Sequence, residues 1–192
     1  MSTPKFIVGR ILTMVPVLAL SATACARPAS EAAPAPAAAT ASSGPTSDGV
    51  IAGLFIAANT ADIHYGGVAT AKGRKPEVRQ FGQTMMNDHG ALNTALNALL
   101  ERQGITAIDT EESLNIRDDA EELRDEMRKK DGAEFDRFYM DNEIDYHTKL
   151  LARMDREFIP RAKNAELKEF LSNVRTAVAA HLAHAKVVRK TL

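Results

Sequence analysis

The sequence predicts an all-α protein. Of its 192 residues 45% are apolar, Trp is absent, other aromatic residues are few and alanine is frequent, which favours closely packed helices over strands built from β-branched side chains. Apolar residues also recur at steps of three and four along four long segments. Lys and Arg number 24 against 25 Asp and Glu, so no basic excess attracts nucleic acid and no such partner is expected.

The first 25 residues have the features of an export signal. Lys5 and Arg10 precede an apolar run from Ile11 to Leu20, and small residues follow this run. The run is shorter than a transmembrane helix usually is. The single cysteine, Cys25, stands at the expected cleavage point. The segment resembles a bacterial lipoprotein signal, which implies that Cys25 becomes lipidated. The same resemblance implies an outer-membrane lipoprotein that faces the periplasm.

A second interpretation of this segment stays open. Lipoprotein signals usually carry Leu three residues before the cysteine, where this chain has Ala22, and the pair Ala22 and Ala24 equally suits ordinary signal cleavage. The alternative is a soluble periplasmic protein with one free thiol, although an unpaired cysteine is unusual in an oxidising compartment. Residues 26–48 are rich in Ala, Pro, Ser and Thr, so we expect a disordered tether there and one folded domain over residues 49–192.

The first two predicted helices form a hairpin. The first begins after Ser47 and Asp48, which can cap it, and stops at Gly73. The second has Pro76 in its first turn and runs to Gly104. Because only about three residues separate the two helices, they should be antiparallel neighbours.

A second predicted hairpin repeats this plan. Its first helix runs from about Ala133 to Phe158, where Pro160 should end it, and its second helix follows the cap Asn164. The segments PEVRQF (76–81) and AELKEF (165–170) open the second helix of each hairpin in the same way. This similarity indicates a weak internal repeat.

A charged segment over residues 109–131 separates the hairpins. Its charges are typical of a solvated helix face, and a helix of roughly 27 Å could carry the chain from one end of the bundle to the other. The helices on either side would then be parallel, as in a ferritin-like four-helix bundle with a long crossover that carries an extra helix. The alternative is a plain up-down bundle with the charged helix lying across one end.

Three histidines fall on apolar stripes that should face the core. His89 belongs to the second helix, and His147 and His181 hold the equivalent places in the third and fourth long helices. On the first helix the inward polar residue is Asp62, whereas His64 lies on the flank. At about 1.5 Å rise per residue the four inward residues reach similar depths, so the sequence predicts one shared polar centre.

A polar centre of this composition has two interpretations. Uncharged imidazoles with one carboxylate form a ligand set that one Zn, Cu or Fe ion accepts, and such sites are built in bundle cores. Glu143 and His184 are additional candidate ligands, each about one turn from a predicted one. The alternative is a metal-free network in which the histidines bond carbonyls or carboxylates. Asp88 and Asp145 are available as outer partners of the centre, but ordinary solvated helix surface is the favoured interpretation of both. Four methionines are interpreted as core filling rather than copper ligands: Met85, Met86, Met140 and Met154.

Four stretches of the chain resemble one known family: ANTADIHYGGVA (58–69), VRQFGQTMMNDH (78–89), FDRFYMDNEIDYH (135–147) and LKEFLSNVRTAVAAHL (167–182). They are similar to the ferritin-like domain-of-unknown-function family 4142 of exported bacterial proteins, often called predicted outer membrane proteins. The resemblance covers nearly all of residues 50–190. It implies a ferritin-like fold, with Asp62 where the family usually has Glu and with His89, His147 and His181 at the family's histidine positions. It implies no particular activity.

The motif of di-iron proteins with this fold, Glu-x-x-His, does not occur at any histidine of the chain. A di-iron oxidoreductase, a ferroxidase and an iron store are therefore disfavoured. The sequence predicts an envelope-anchored helical protein whose centre of Asp62, His89, His147 and His181 could hold one transition-metal ion without catalytic turnover. The alternative is a metal-free envelope or stress-related interaction protein whose buried histidines are structural.

Overall fold

The computed structural model describes residues 47–192, so the expected signal, Cys25 and nearly all of the expected tether lie outside the described residues. Residues 47–192 are all-α, with five helices and no strand. The helices are α1 (Asp48–Lys72), α2 (Pro76–Gln103), α3 (Glu111–Arg128), α4 (Gly132–Arg153, with a continuation described below) and α5 (Ala165–Arg189). Within this part of the chain, none of the helices combines the length and the apolar character that crossing a membrane requires.

The predicted helix starts are confirmed at their caps. Ser47 Oγ accepts a hydrogen bond of 3.3 Å from the backbone N–H of Val50, and α1 begins at Asp48, one residue before the expected domain boundary. Asn164 Oδ1 accepts a 2.9 Å bond from the N–H of Leu167 at the start of α5. Pro76 occupies the first turn of α2, where its missing N–H is not needed. These local signals placed three of the four bundle helices.

The expectation that Pro160 ends the third bundle helix is wrong. α4 continues through a π-helical turn, Met154–Phe158, and a last α-helical turn, Ile159–Arg161, which contains the proline. A proline removes one N–H, and its ring clashes with the carbonyl four residues earlier in a regular α-helix. The wider π turn directly before Pro160 relieves this clash, so the helix passes through the proline.

The four bundle helices run up, down, down and up around one core. In one apolar cluster the start of α1 packs against the end of α2, the end of α4 and the start of α5, and the opposite halves of the same helices form a second cluster. α2 and α4 are therefore parallel, and the plain up-down order does not occur. α3 returns the chain along the outside of α1, where Ala120 and Met127 are buried against the second cluster.

Two aspartates tie each hairpin to the turn of the other. Near the start of α4, the buried carboxylate of Asp136 accepts hydrogen bonds of 2.8 and 3.0 Å from the backbone N–H groups of residues 74–75, between α1 and α2. At the start of α1, Asp48 accepts bonds of 2.8 and 2.9 Å from the N–H groups of residues 163–164, before α5. The exchange relates the two hairpins as the internal repeat in the sequence indicated.

α1 and α2 are in backbone contact where Gly66 faces Gly82. A Cβ atom on Gly66 would lie 2.5 Å from the carbonyl oxygen of Gly82, and one on Gly82 would lie 2.7 Å from the carbonyl oxygen of Gly66. Any side chain here would force the helices apart. The contact lies one turn from Asp62 and two turns from His89, so it sets the distance between those two side chains.

Candidate metal centre

A polar centre lies between the two apolar clusters, with one side chain from each bundle helix. Asp62 of α1, His89 of α2 and His147 of α4 are 0% exposed, and His181 of α5 is 7% exposed. The structure therefore brings together the four residues that the sequence placed on inward stripes. Glu143, one turn before His147 on α4, is also 0% exposed and belongs to the same polar region.

The three imidazole rings form a nearly equilateral triangle. The ring centroids of His89 and His147 lie 5.7 Å apart, those of His89 and His181 lie 5.3 Å apart, and those of His147 and His181 lie 5.5 Å apart. Asp62 Oδ2 lies 2.9 Å from His89 Nε2 and 3.4 Å from His147 Nε2. The carboxylate thus approaches the triangle from α1.

The His89 ring is held by a chain of amide hydrogen bonds on its outer side. His89 Nδ1 donates to Asn59 Oδ1 at 2.9 Å, and Asn59 Nδ2 donates to Asn93 Oδ1 at 2.9 Å. The second bond orients the Asn59 amide so that its oxygen faces the ring. In the neutral ring the proton therefore sits on Nδ1, and Nε2 faces the centre.

The other two rings are held in the same manner. His147 Nδ1 donates to the backbone carbonyl oxygen of Glu143 at 2.9 Å, and its Nε2 points inward. His181 Nε2 donates to Asp88 Oδ2 at 2.9 Å, and its Nδ1 points inward. Ligand histidines in metalloproteins usually donate their second nitrogen to a carboxylate or a carbonyl, because that bond sets the tautomer and the ring orientation.

The inward atoms are buried and find no hydrogen-bond partner among residues 47–192. This holds for His89 Nε2, His147 Nε2, His181 Nδ1 and both Asp62 oxygens. An unpaired buried polar atom costs about 1–3 kcal/mol. His89 Nε2 and Asp62 Oδ2 lie 2.9 Å apart, and each residue shifts the pKa of the other towards the charged form, so either a proton on His89 Nε2 or a metal ion would satisfy both atoms.

The spacing of these atoms fits a small cation. In a tetrahedral site with bonds of about 2.0–2.1 Å, neighbouring ligand atoms lie about 3.3 Å apart. The two distances from Asp62 Oδ2 to ring nitrogens, 2.9 and 3.4 Å, lie on either side of this value. The inward nitrogens of the three histidines all lie within 4.8 Å of one another. The three histidines thus form one group that could hold a metal ion, and Asp62, Glu143 and His147 form a second group that shares His147 with it.

The electrostatics of the centre leave two rings uncharged. Burial raises the pKa of Asp62, but the neighbouring His89, followed by His147, outweighs burial and lowers the pKa to about 2. Burial lowers the pKa of His89, yet the Asp62 carboxylate reverses this and the net pKa is raised. For His147 and His181 burial is the largest effect and lowers the pKa, so both rings are uncharged and each has a lone pair on one nitrogen.

Glu143 and Tyr139 extend the centre along α4. Glu143 Oε2 lies 3.4 Å from His147 Nδ1, and Asp62, Glu143 and His147 form a second buried group whose donor atoms lie within 4.8 Å of one another. Burial, and then the charge of Asp62, raise the pKa of Glu143 well above its ordinary value. Burial and Glu143 likewise raise the pKa of the Tyr139 hydroxyl. Glu143 therefore lies near the His147 ring, as the sequence indicated, and also near Asp62, which the sequence did not indicate.

Two histidines lie outside the centre. The candidate ligand His184 is exposed and packs against Phe81 with the ring centroids 5.2 Å apart, because three residues along α5 turn its side chain about 60° away from His181. His64 is 38% exposed and lies 3.4 Å from Glu121, on the flank as expected. Three of the methionines are fully buried core residues and one is partly buried: Met85, Met140, Met154 and then Met86.

Two supporting residues were missed from the sequence, and for a third the favoured interpretation was wrong. Asn59 and Tyr139 stand three and four residues before Asp62 and Glu143, so polar residues repeating on an inward stripe could have revealed both. Asp88 was interpreted as solvated surface, but it binds His181 although its side chain is 50% exposed. No local pattern could reveal this role, because the partner lies 93 residues away on another helix.

The fold and the site define an all-α protein with a buried cluster of His and Asp residues that could hold a metal ion. Residues 31–188 match the family described as domain of unknown function DUF4142, and the chain belongs to that family. The resemblance carried by the four sequence stretches is thereby confirmed. No curated protein and no solved structure matches the chain significantly.

Proposed function

We propose that this protein is a ferritin-like helical bundle that binds one transition-metal ion through Asp62, His89, His147 and His181. The observation that carries the proposal is that one nitrogen of each histidine ring and both Asp62 oxygens are buried and find no hydrogen-bond partner among residues 47–192. The other nitrogen of each ring is already bonded. Three imidazole nitrogens and one carboxylate oxygen suit Zn, Cu or Fe. The up-down-down-up order, with α3 in the crossover, supports the ferritin-like assignment.

The site is of the closed kind, so we assign no turnover to it. Each bundle helix supplies one ligand, and the four ligands are between 0% and 7% exposed. Structural zinc sites use four protein ligands, whereas catalytic sites keep one position open for water or substrate. An ion bound here would link all four helices, and it would stabilise the fold because the unfolded chain does not offer the site.

Metal analysis of protein purified without an affinity tag tests the proposal. We expect one equivalent of Zn, Cu or Fe per chain, either as purified or after loading, and loss of that equivalent in a His89→Ala, His181→Ala double variant. A His64→Ala, His184→Ala double variant is the matched control, since it removes two histidines outside the centre and should keep the full equivalent. A wild-type protein that binds none of these ions under any loading condition refutes the proposal.

A second candidate function is a metal-free envelope or stress-related interaction protein with structural histidines. One observation favours it: His89 and Asp62 shift each other's pKa towards the charged pair, so the protein can neutralise Asp62 without an ion. Under this alternative, added Zn²⁺, Cu²⁺ or Fe²⁺ leaves the thermal unfolding of the protein unchanged. A metal-dependent rise of the unfolding temperature that disappears in the His89→Ala, His181→Ala variant excludes it.

We further propose that the chain is exported and anchored to the outer membrane, facing the periplasm, through a lipid on Cys25. The support is the signal-like segment of residues 1–25 and the Ala- and Pro-rich stretch that follows it. Mass spectrometry of the mature N-terminus should find a lipidated Cys25. An unmodified Cys25, or a mature chain that starts elsewhere, supports a soluble periplasmic protein instead.

A further inference from the structure

His181 is the proposed ligand nearest to solvent. It is 7% exposed, whereas Asp62, His89 and His147 are 0% exposed. Its Nε2 donates to Asp88 Oδ2 at 2.9 Å across the seam between α5 and α2, and the Asp88 side chain is 50% exposed. A continuous line of contacts therefore leads from solvent through Asp88 and His181 to the centre.

The seams that involve α1 are closed around the centre. The backbones of α1 and α2 touch at Gly66 and Gly82, which leaves no space between these helices. The Tyr146 hydroxyl of α4 donates to the Ala58 carbonyl oxygen of α1 at 2.7 Å and spans the α1–α4 seam. α3 covers the outer side of α1, where Ala120 is 2% exposed. On the α1–α4 side an ion would have to break the Tyr146 bond, which lies at a surface pocket lined by Ala58, Ile116 and Tyr146.

The seam between α4 and α5 is fastened on both sides of the centre. Arg175, about two turns before His181, makes a two-point ion pair with Asp155 that includes an Nη2–Oδ2 contact of 2.7 Å. Arg189, about two turns after His181, pairs with Asp141 through contacts of 2.6 and 3.1 Å. Two-point Arg–carboxylate pairs fix direction as well as distance. These pairs hold α5 against α4, whereas the bonds that tie α5 to α2 apart from Asp88 lie at the helix ends, from Asn164 to Gln103 and from Lys75 to Thr191.

We propose that metal ions reach and leave the centre through the α2–α5 seam, by outward rotation of His181, and that Asp88 is the positioning residue that holds His181 inward. The inference rests on the proposed metal site. His181 can exchange Asp88 for water at little cost, because the Asp88 carboxylate is already half in solvent. His89 and His147 cannot do so, because their outer nitrogens are bonded to buried Asn59 and to the backbone of α4.

Chelator-driven release of Zn²⁺ from the loaded full-length protein tests the role of Asp88. We expect Asp88→Ala to release the ion about tenfold to 100-fold faster than the wild type, as loss of an outer partner of a ligand histidine usually weakens a site by such a factor. Asp88→Glu should restore most of the wild-type rate. In the wild type the rate should become independent of chelator concentration, because outward rotation of His181 limits release.

The control for this experiment is Asp145→Ala. Asp145 is a carboxylate of similar exposure, 60% against 50% for Asp88, that pairs with Lys149 on its own helix at 2.6 Å, so its removal changes surface charge without touching a ligand. Release at the wild-type rate is expected. If Asp88→Ala also releases Zn²⁺ at the wild-type rate, or if Asp145→Ala accelerates release as much as Asp88→Ala, the inference is overturned.

Carbethoxylation of the metal-free protein tests the route without any ion. Diethyl pyrocarbonate, followed by peptide mass spectrometry, should modify His181 at least about tenfold faster than His89 and His147, since neither of these is exposed. Modification of His89 or His147 as fast as His181 overturns the route. A wild-type protein that takes up no metal overturns the proposed function instead, so the two failures are distinguishable.

Discussion

Asn59→Leu should weaken metal binding while the protein still folds. Asn59 accepts the Nδ1 proton of His89 at 2.9 Å, and both side chains are 0% exposed, so no water can take over this bond. Leu has a similar volume and fills the space without offering an acceptor. The ring must then keep an unpaired proton on Nδ1 or move that proton to Nε2, where it faces the metal ion.

Either response opposes binding by a similar amount. An unpaired buried N–H group costs about 1–3 kcal/mol, and each 1.4 kcal/mol corresponds to about a tenfold change in Kd. We therefore expect the Kd for Zn²⁺ to rise about 10–100-fold, as is usual when the outer partner of a ligand histidine is removed. The metal-free variant should lose about 1–3 kcal/mol of unfolding free energy, out of the 5–15 kcal/mol that is typical of a domain.

Competition against a chromophoric chelator measures the Kd, and urea unfolding followed by circular dichroism measures the stability. Asn93→Ala is the matched control: it removes the 2.9 Å bond to Asn59 Nδ2 but leaves the acceptor of His89 in place. Its Kd should rise less than that of Asn59→Leu, because Asn59 Oδ1 is still present to accept the His89 proton although the bond that orients the amide is lost. Asn59→Leu binding as tightly as Asn93→Ala would refute the argument that Asn59 sets the state of His89.

Three further outcomes are expected. Asp136→Ala should lower the unfolding free energy by about 2–4 kcal/mol in urea titrations, because a buried carboxylate that accepts two N–H groups is lost. Asp48→Ala, at the more exposed equivalent position, should lower it by about 1 kcal/mol. Equal losses would contradict this difference in burial. Gly66→Ala should lower the unfolding free energy by about 1–3 kcal/mol and weaken Zn²⁺ binding in the same assays, because its Cβ would lie 2.5 Å from a backbone oxygen of α2. Gly67→Ala should leave the unfolding free energy unchanged, because its Cβ would meet only a side-chain sulfur at 4.0 Å. A harmless Gly66→Ala would show that the helices separate easily. Zn²⁺ at 100 times its Kd should raise the unfolding free energy of the wild type by about 2.7 kcal/mol and leave that of the His89→Ala, His181→Ala variant unchanged. An equal rise in both proteins would place the binding elsewhere.

The order of the helices was only partly decided by the sequence. The charged segment of residues 109–131 allowed both a parallel and an antiparallel placement of α2 and α4, since it is long enough to span the bundle but could also cross its end. The structure selects the parallel order through the packing of distant segments, and Asp136 and Asp48 secure it by capping turns that lie 61 to 116 residues away. Pro160 shows the reverse case, in which a local rule for ending a helix was overridden by a π turn.

The sequence by itself determined the all-α class, the starts of α1, α2 and α5, and four of the polar residues that face inward, because helical periodicity and capping act within a few residues. Asp62, His89, His147 and His181 were therefore identifiable without a structure. Only the tertiary structure decided that Asp88 holds His181, that Asn59 orients His89 and that His184 stays outside. These relations depend on the separation and rotation of whole helices, which close contacts such as Gly66 against Gly82 establish across the bundle.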